Sequence, residues 1–114
     1  MSRIFIYLVA FSCFYAHSFC ATRELQFENE HVKVWKTTIS AKDPLGMHRH
    51  ERNRVVIGLQ GGVLEKVEKT GGKSMIKIPS EKAIWFEKDP IGTLHSDANT
   101  SDEPIVVMVI ELKE

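Results

Sequence analysis

A chain of 114 residues, with 15 basic and 15 acidic side chains and no formal net charge, has room for a single domain. No basic excess and no long run of one sign is present, which argues against a nucleic-acid or polyanion partner.

The chain opens on "MSRIFIYLVAFSCFYAHSFCA", where Arg3 precedes a nearly uncharged apolar run from Ile4 to Ala16. Small residues follow at Ala16, Ser18 and Cys20. This is the anatomy of a secretory signal peptide, expected over residues 1–20 with cleavage after Cys20. Cleavage after Ser18, or retention of the segment as a buried helix or anchor, is the alternative. The apolar run is short of the ~20 residues a spanning helix needs, so no stable membrane insertion is expected once the leader is gone. Both cysteines, Cys13 and Cys20, would leave with it. The remaining domain, 21–114, would be secreted or periplasmic, would have no disulfide, and would use no cysteine for catalysis or ligation. Losing Arg3 leaves 14 basic residues against 15 acidic ones, a formal charge of −1. A domain of this size buries a modest share of its surface, so a homodimer contact would help it.

From His31 the pattern is one of short strands and turns. "HVKVWKTTIS" alternates and is rich in β-branched residues, which predicts a strand. "DPLG" at 43–46 predicts a turn. "RVVIGLQ" is an apolar run, "GG" at 61–62 a turn, and "VLEKVEK" an alternating strand. "TGGK" at 70–73 predicts a hairpin into "SMIKI". Pro79 and Ser80 precede a strand in "KAIWFE", and "DPIG" at 89–92 is another turn. The last element, "PIVVMVIEL", is apolar on both faces and predicts a strand buried on two sides. No segment carries helical periodicity beyond about two turns. The expectation is an all-β sandwich or barrel.

Within this frame "LGMHRHERNRVV" places His48 and His50 two residues apart. On a strand that spacing points both rings to one face. His95, in "PIGTLHSDAN", is a third imidazole far along the chain. Three imidazoles from two strands can bind a divalent first-row metal and leave positions for water or substrate. Read singly, His48 and His50 are equally a polar strand edge, and His95 a surface or hydrogen-bonded core histidine.

Taken together, these stretches resemble a small single-domain cupin. The family's second motif, P-x-G-x-x-H-x-x-x-N, is matched at Pro90, Gly92, His95 and Asn99. Its first motif supplies His48 and His50, with Gly46 preceding them and Gly61 and Gly62 downstream. The resemblance implies a cupin-type double-stranded β-helix, a jelly-roll barrel. It also implies a divalent ion (Fe, Mn, Ni, Cu or Zn) on His48, His50 and His95, together with a small-molecule ligand. One departure stands out. Many metal cupins ligate with a glutamate whose place falls here on Arg54 or Val55, and Glu51 has the wrong parity to replace it. Arg54 shares parity with His48 and His50. Its guanidinium beside a bare divalent ion would cost several kcal/mol unless an anion lies between them. Two readings follow. In one, three histidines hold a metal and Arg54 steers an anionic ligand. In the other, no metal binds and Arg54 anchors the anion itself. If the protein is an enzyme, the resemblance implies a metal-dependent dioxygenase- or isomerase-like reaction. The sequence identifies no catalytic base.

Overall fold

A computed structural model describes residues 22–42 and 45–114. The leader expected over 1–20, both cysteines and the first half of the "DPLG" turn lie outside the described residues. Eight strands form the domain: β1 (Thr22–Glu28), β2 (Val32–Ile39), β3 (Arg54–Gln60), β4 (Gly62–Glu68), β5 (Lys73–Ile78), β6 (Ala83–Phe86), β7 (His95–Asn99) and β8 (Ile105–Leu112). They pair, all antiparallel, into a five-stranded sheet ordered β1-β2-β8-β3-β6 and a three-stranded sheet ordered β5-β4-β7. No helix occurs among the described residues, so the all-β expectation holds. β1 was not anticipated. "TRELQFE" carries three charges and little alternation, and it forms as an edge strand held by the β2 ladder.

The two sheets pack face to face. Cross-strand register puts Lys33, Glu111, Arg54 and Phe86 in one inward row at the open end, and Trp35, Val109, Val56 and Ile84 in the next. Beyond them Ile39, Leu64, Ile78, Ile105 and Val107 close the far end and, with Val56, form the buried core. Each such aliphatic side chain, taken from water, contributes about 1.5–3 kcal/mol. Gly61 is not the open turn residue its position predicts. A Cβ there would collide with the carbonyl oxygen of Ile78, and one on Gly62 would stand 2.7 Å from Cγ1 of Ile105. These glycines let the chain pass from one sheet to the other at close range. The β4–β5 hairpin turns on Gly71, whose φ of 102° suits glycine. β8 departs from its expectation: Ile105 and Val107 are buried inward, whereas Val106, Met108, Ile110 and Leu112 face outward and are only half-buried.

Candidate metal centre

β7 supplies one side of the site. His95, Asp97 and Asn99 are buried while Ser96 and Ala98 between them are half-buried, as the period of two requires. One edge of β7 pairs with β4. Its other edge receives the chain between β2 and β3. Leu45 N–H donates to the Asp97 carbonyl at 2.7 Å, and His48 and His95 exchange both backbone bonds at 2.8 and 2.9 Å. His48 therefore meets His95 through a single β-bridge and not within the regular strand its spacing suggested. The imidazoles still converge. Ring centroids lie 4.6 Å apart for His48 and His95, 4.9 Å for His48 and His50, and 5.4 Å for His50 and His95.

A fourth group joins them. Oδ2 of Asp97 stands 3.4 Å from Nε2 of His48 and 3.4 Å from Nε2 of His95. One donor atom from each of His48, His50, His95 and Asp97 fits within a mutual distance of 4.8 Å. Ligands about 2.1 Å from a first-row ion stand roughly 3–4 Å from one another, so small ring rotations would close the set. Oδ1 of Asp97 is buried without a hydrogen-bond partner, an orphaned acceptor of the kind a cation satisfies. Three imidazoles and one carboxylate suit Zn, Fe, Mn, Ni or Cu. Beside the three expected histidines stands an acid, supplied two residues beyond His95 and not from the strand of Arg54. Parity with His95 on a β-prone stretch was the signal that could have found it.

The ring orientations have local causes. Nδ1 of His48 donates to the Gly46 carbonyl at 2.6 Å, so the neutral ring presents Nε2 to the site. Gly46 thus acts through its backbone oxygen. Asp89 links both arms. Its Oδ2 accepts the His50 backbone N–H at 2.8 Å and lies 3.6 Å from Nδ1 of His95, while its own N–H donates to the His50 carbonyl at 2.8 Å. No sequence pattern singled it out.

Electrostatics divide the histidines. The Asp97 hydrogen bond raises the pKa of His48 against the opposing effect of burial. Burial, reinforced by the charges of Arg54 and His48, pulls His50 down to about 4. Burial would raise the Asp97 carboxyl, but the His48 hydrogen bond and the neighbouring histidine charges hold it below the ordinary range.

The remaining residues singled out in the sequence fall into place around this cluster. Arg54 faces inward despite the irregular backbone at 51–53, in register with Phe86 and Glu111. Its guanidinium sits 5.1 Å from the Phe86 ring centroid and makes one long hydrogen bond, 3.5 Å, to the Glu87 carbonyl. Burial lowers its pKa against the pull of Asp89, Asp97 and Glu111. Pro90 accepts two hydrogen bonds from Thr93, at 3.2 Å from the backbone N–H and 2.7 Å from Oγ1, and Gly92 takes a φ of 88°, so this pair shapes the turn into β7. Asn99 is fully buried. Its Nδ2 donates to the carbonyls of Ile39 and Glu103, and its Oδ1 accepts from the backbone and hydroxyl of Ser101. Asn99 holds the closed end together and does not reach the ligand cluster. Histidines, Asp97 and Arg54 all line one cavity of about 1160 Å3, whose wall includes Val56, Leu64, Ile76, Phe86, Val107 and Val109.

The two layers of antiparallel strands have counterparts among solved structures. A cupin domain from Bordetella pertussis Tohama I superposes with a TM-score of 0.72 at 26% identity, covering 83% of this chain and 95% of that one. The fold is that of a cupin. An RmlC-like cupin family protein with a double-stranded β-helix fold from Methanocaldococcus jannaschii gives a TM-score of 0.61 at 11% identity, covering 82% and 81%. The polyketide cyclase RemF from Streptomyces resistomycificus gives 0.59 at 15% identity, covering 82% of this chain and 66% of that one. No protein-family model matches the chain, and no curated protein matches it. This cupin fold carries its candidate metal donors at the open end of the barrel, with a carboxylate on the second motif's strand.

Proposed function

We propose that the protein is an exported small cupin that binds one divalent first-row metal on His48, His50, His95 and Asp97 and offers it to a small anionic ligand in the cavity. The observation that carries this reading is the convergence within 4.8 Å of three imidazoles and the Asp97 carboxylate, whose Oδ1 is buried without a partner. When bound, such an ion would polarise a carbonyl or carboxylate oxygen, or bind dioxygen if it is iron. The chain's own contribution is then to fix its donors, keep one wall of the cavity apolar and present Arg54. Among the other cationic side chains lining the cavity, Arg23 pairs with Glu111 at 4.0 Å, Arg49 with Glu51 at 3.9 Å, Lys66 with Glu68 at 3.3 Å and Lys113 with Glu28 at 2.6 Å, Lys33 lies 4.8 Å from the Trp35 ring centroid, and Arg52 is exposed. Half-buried Arg54 has no such ion pair among the described residues. A desolvated guanidinium with most donors unused favours an oxyanion. That same observation supports the second reading, a metal-free binder in which Arg54 alone anchors the ligand.

The test is metal content by mass spectrometry of protein purified without a histidine tag, beside His48→Ala, His50→Ala, His95→Ala and Asp97→Asn. Near-stoichiometric metal in the parent, lost in the histidine variants and weakened in Asp97→Asn, supports the metal reading. A folded parent that stays empty after incubation with iron, manganese, nickel, copper and zinc overturns it in favour of the Arg54 reading. Turnover, sought by a substrate screen on the loaded protein, then separates an enzyme from a binding module.

A further inference from the structure

We infer that the cavity takes a monocarboxylic acid with an apolar tail, its head on Arg54 at the mouth and its tail pointing into the barrel. This rests on the reading of Arg54 as the anchor of an anionic ligand, and names the class of acid that fits below it.

The two walls of the cavity are unlike. His95 and Asp97 on β7, with His48 and His50 along its edge, gather the titratable groups on the small-sheet side. Lys66, the cross-strand neighbour of Asp97, joins them there and is tied to Glu68. The large sheet faces them with a charged rank and then an apolar one. Arg54 and Glu111 are ladder partners in the outer rank, with Phe86 on the other side of Arg54. Two residues further in, about 6.7 Å along the strands, Val56 and Val109 are ladder partners in turn. Leu64 and Ile76 pair on the small sheet one step inside Lys66 and Asp97. Below them Val107 and Ile78, both buried, close the space.

This sequence of ranks favours an acid with a tail over a bare oxyanion. A bare anion on Arg54 leaves Val56 and Val109 facing water. Water there meets the donor cluster on one side and the Thr37 hydroxyl at the margin, but no partner on Val56, Val109 or Phe86. An enclosed water needs two to four polar partners to be held. A hydrocarbon tail displaces that water and is itself stabilised by leaving solvent. Arg54 also sets the direction of the chain. Its half-buried guanidinium lies 5.1 Å from the Phe86 ring centroid, so a carboxylate paired with it brings its first carbons beside that ring. One apolar rank above a closed floor takes a tail of roughly four to six carbons. A second carboxylate at the end of such a tail would fall among Leu64, Ile76 and Val107, where a charge costs heavily.

Chemical-shift titration of the 15N-labelled full-length protein, stripped of metal and again loaded with zinc, tests this with n-alkanoates from acetate to octanoate and with adipate. Affinity should rise about fourfold per methylene up to hexanoate and level off by octanoate, with shifts at the Val56 and Val109 amides. Adipate, as long as hexanoate but charged at both ends, should bind at least about tenfold more weakly. Arg54→Gln should weaken every acid at least about tenfold, and Val109→Thr should flatten the dependence on length. Acids held through Arg54 with no dependence on length, or adipate equal to hexanoate, overturn the tail and leave the anionic-ligand reading standing. Affinities in Arg54→Gln equal to the parent's overturn it as well, since apolar surface elsewhere would then hold the acids. No binding by any acid in either metal state overturns both.

Discussion

Asp97 and Asp89 hold the imidazoles from opposite sides. Asp97 approaches the Nε2 atoms of His48 and His95, and Asp89 approaches Nδ1 of His95 while pinning the His50 backbone. A carboxylate behind a ligating imidazole fixes its tautomer and raises its basicity. Asp89→Asn keeps an acceptor for the His50 N–H but removes the charge behind His95. Its affinity for zinc, read by competition with a chromogenic chelator, should fall roughly 10–100-fold while the β-sheet circular dichroism is unchanged. An unaltered affinity would reduce Asp89 to a clasp between loops. His50 gives a second prediction, with a definite sign. Its folded pKa of about 4 lies below the unfolded value of 6.5, so between these limits the unfolded chain binds a proton that the folded chain refuses. The stability this group contributes is fully present above pH 6.5 and is lost as pH falls toward about 4. In metal-stripped protein, the urea midpoint of the parent should therefore fall relative to that of His50→Gln across this window. Parallel pH profiles would show that His50 titrates alike in both states. The histidines and Arg54 were legible in the sequence because period two and motif spacing act over a few residues. Asp97 was readable only once β7 was known to run inward from His95. Asp89 was not readable at all, because its partners, His50 and His95, are brought to it by the barrel's closure.

At the scale of elements, the strands that packing demands were visible and the one that pairing alone creates was not. β2, β3, β4, β5, β6 and β8 alternate or run apolar, whereas β1 is a charged edge strand made by its ladder with β2. The stretch before β3 shows the converse. Its H-x-H spacing suggested a regular strand, yet the chain forms one β-bridge to β7, at His48, beside single backbone bonds from Lys42 and Leu45, and the rings still meet. Glycines were seen as turn markers, but the structure distinguishes them by what surrounds the absent side chain. Gly61 lies against the backbone of Ile78, Pro79 and Ser80, whereas nothing approaches within 4 Å of a Cβ on Gly46. Gly61→Ala must displace backbone and should destabilise the domain by about 1–3 kcal/mol in urea unfolding. Gly46→Ala retains the carbonyl that receives His48 Nδ1–H and should change stability by less than about 0.5 kcal/mol. Equal costs at the two positions would contradict this account of how the chain passes between sheets.

For the molecule as a whole, the site couples parts that the backbone joins only loosely. The chain leaves the large sheet at the end of β2, lays Leu45 and His48 against β7 of the small sheet, and returns to the large sheet as β3. An ion shared by His48 and His50 on that crossing segment and by His95 and Asp97 on β7 would clamp the crossing to the small sheet. The donor set exists only when both are in place, so the unfolded chain offers no comparable site, and binding free energy becomes folding free energy. Metal at about 100 times its dissociation constant should then add about 2.7 kcal/mol, which for a domain of this size raises the melting temperature by roughly 10 °C or more. Thermal melts of chelated and metal-supplemented protein read this shift. His95→Ala and Asp97→Asn, which each remove a donor from β7, should lose most of it while Arg54→Gln retains it. A shift that survives in His95→Ala would place the ion elsewhere. A parent that binds metal yet melts unchanged would mean that the unfolded chain holds the ion as well as the folded one, so that these four residues are no clamp.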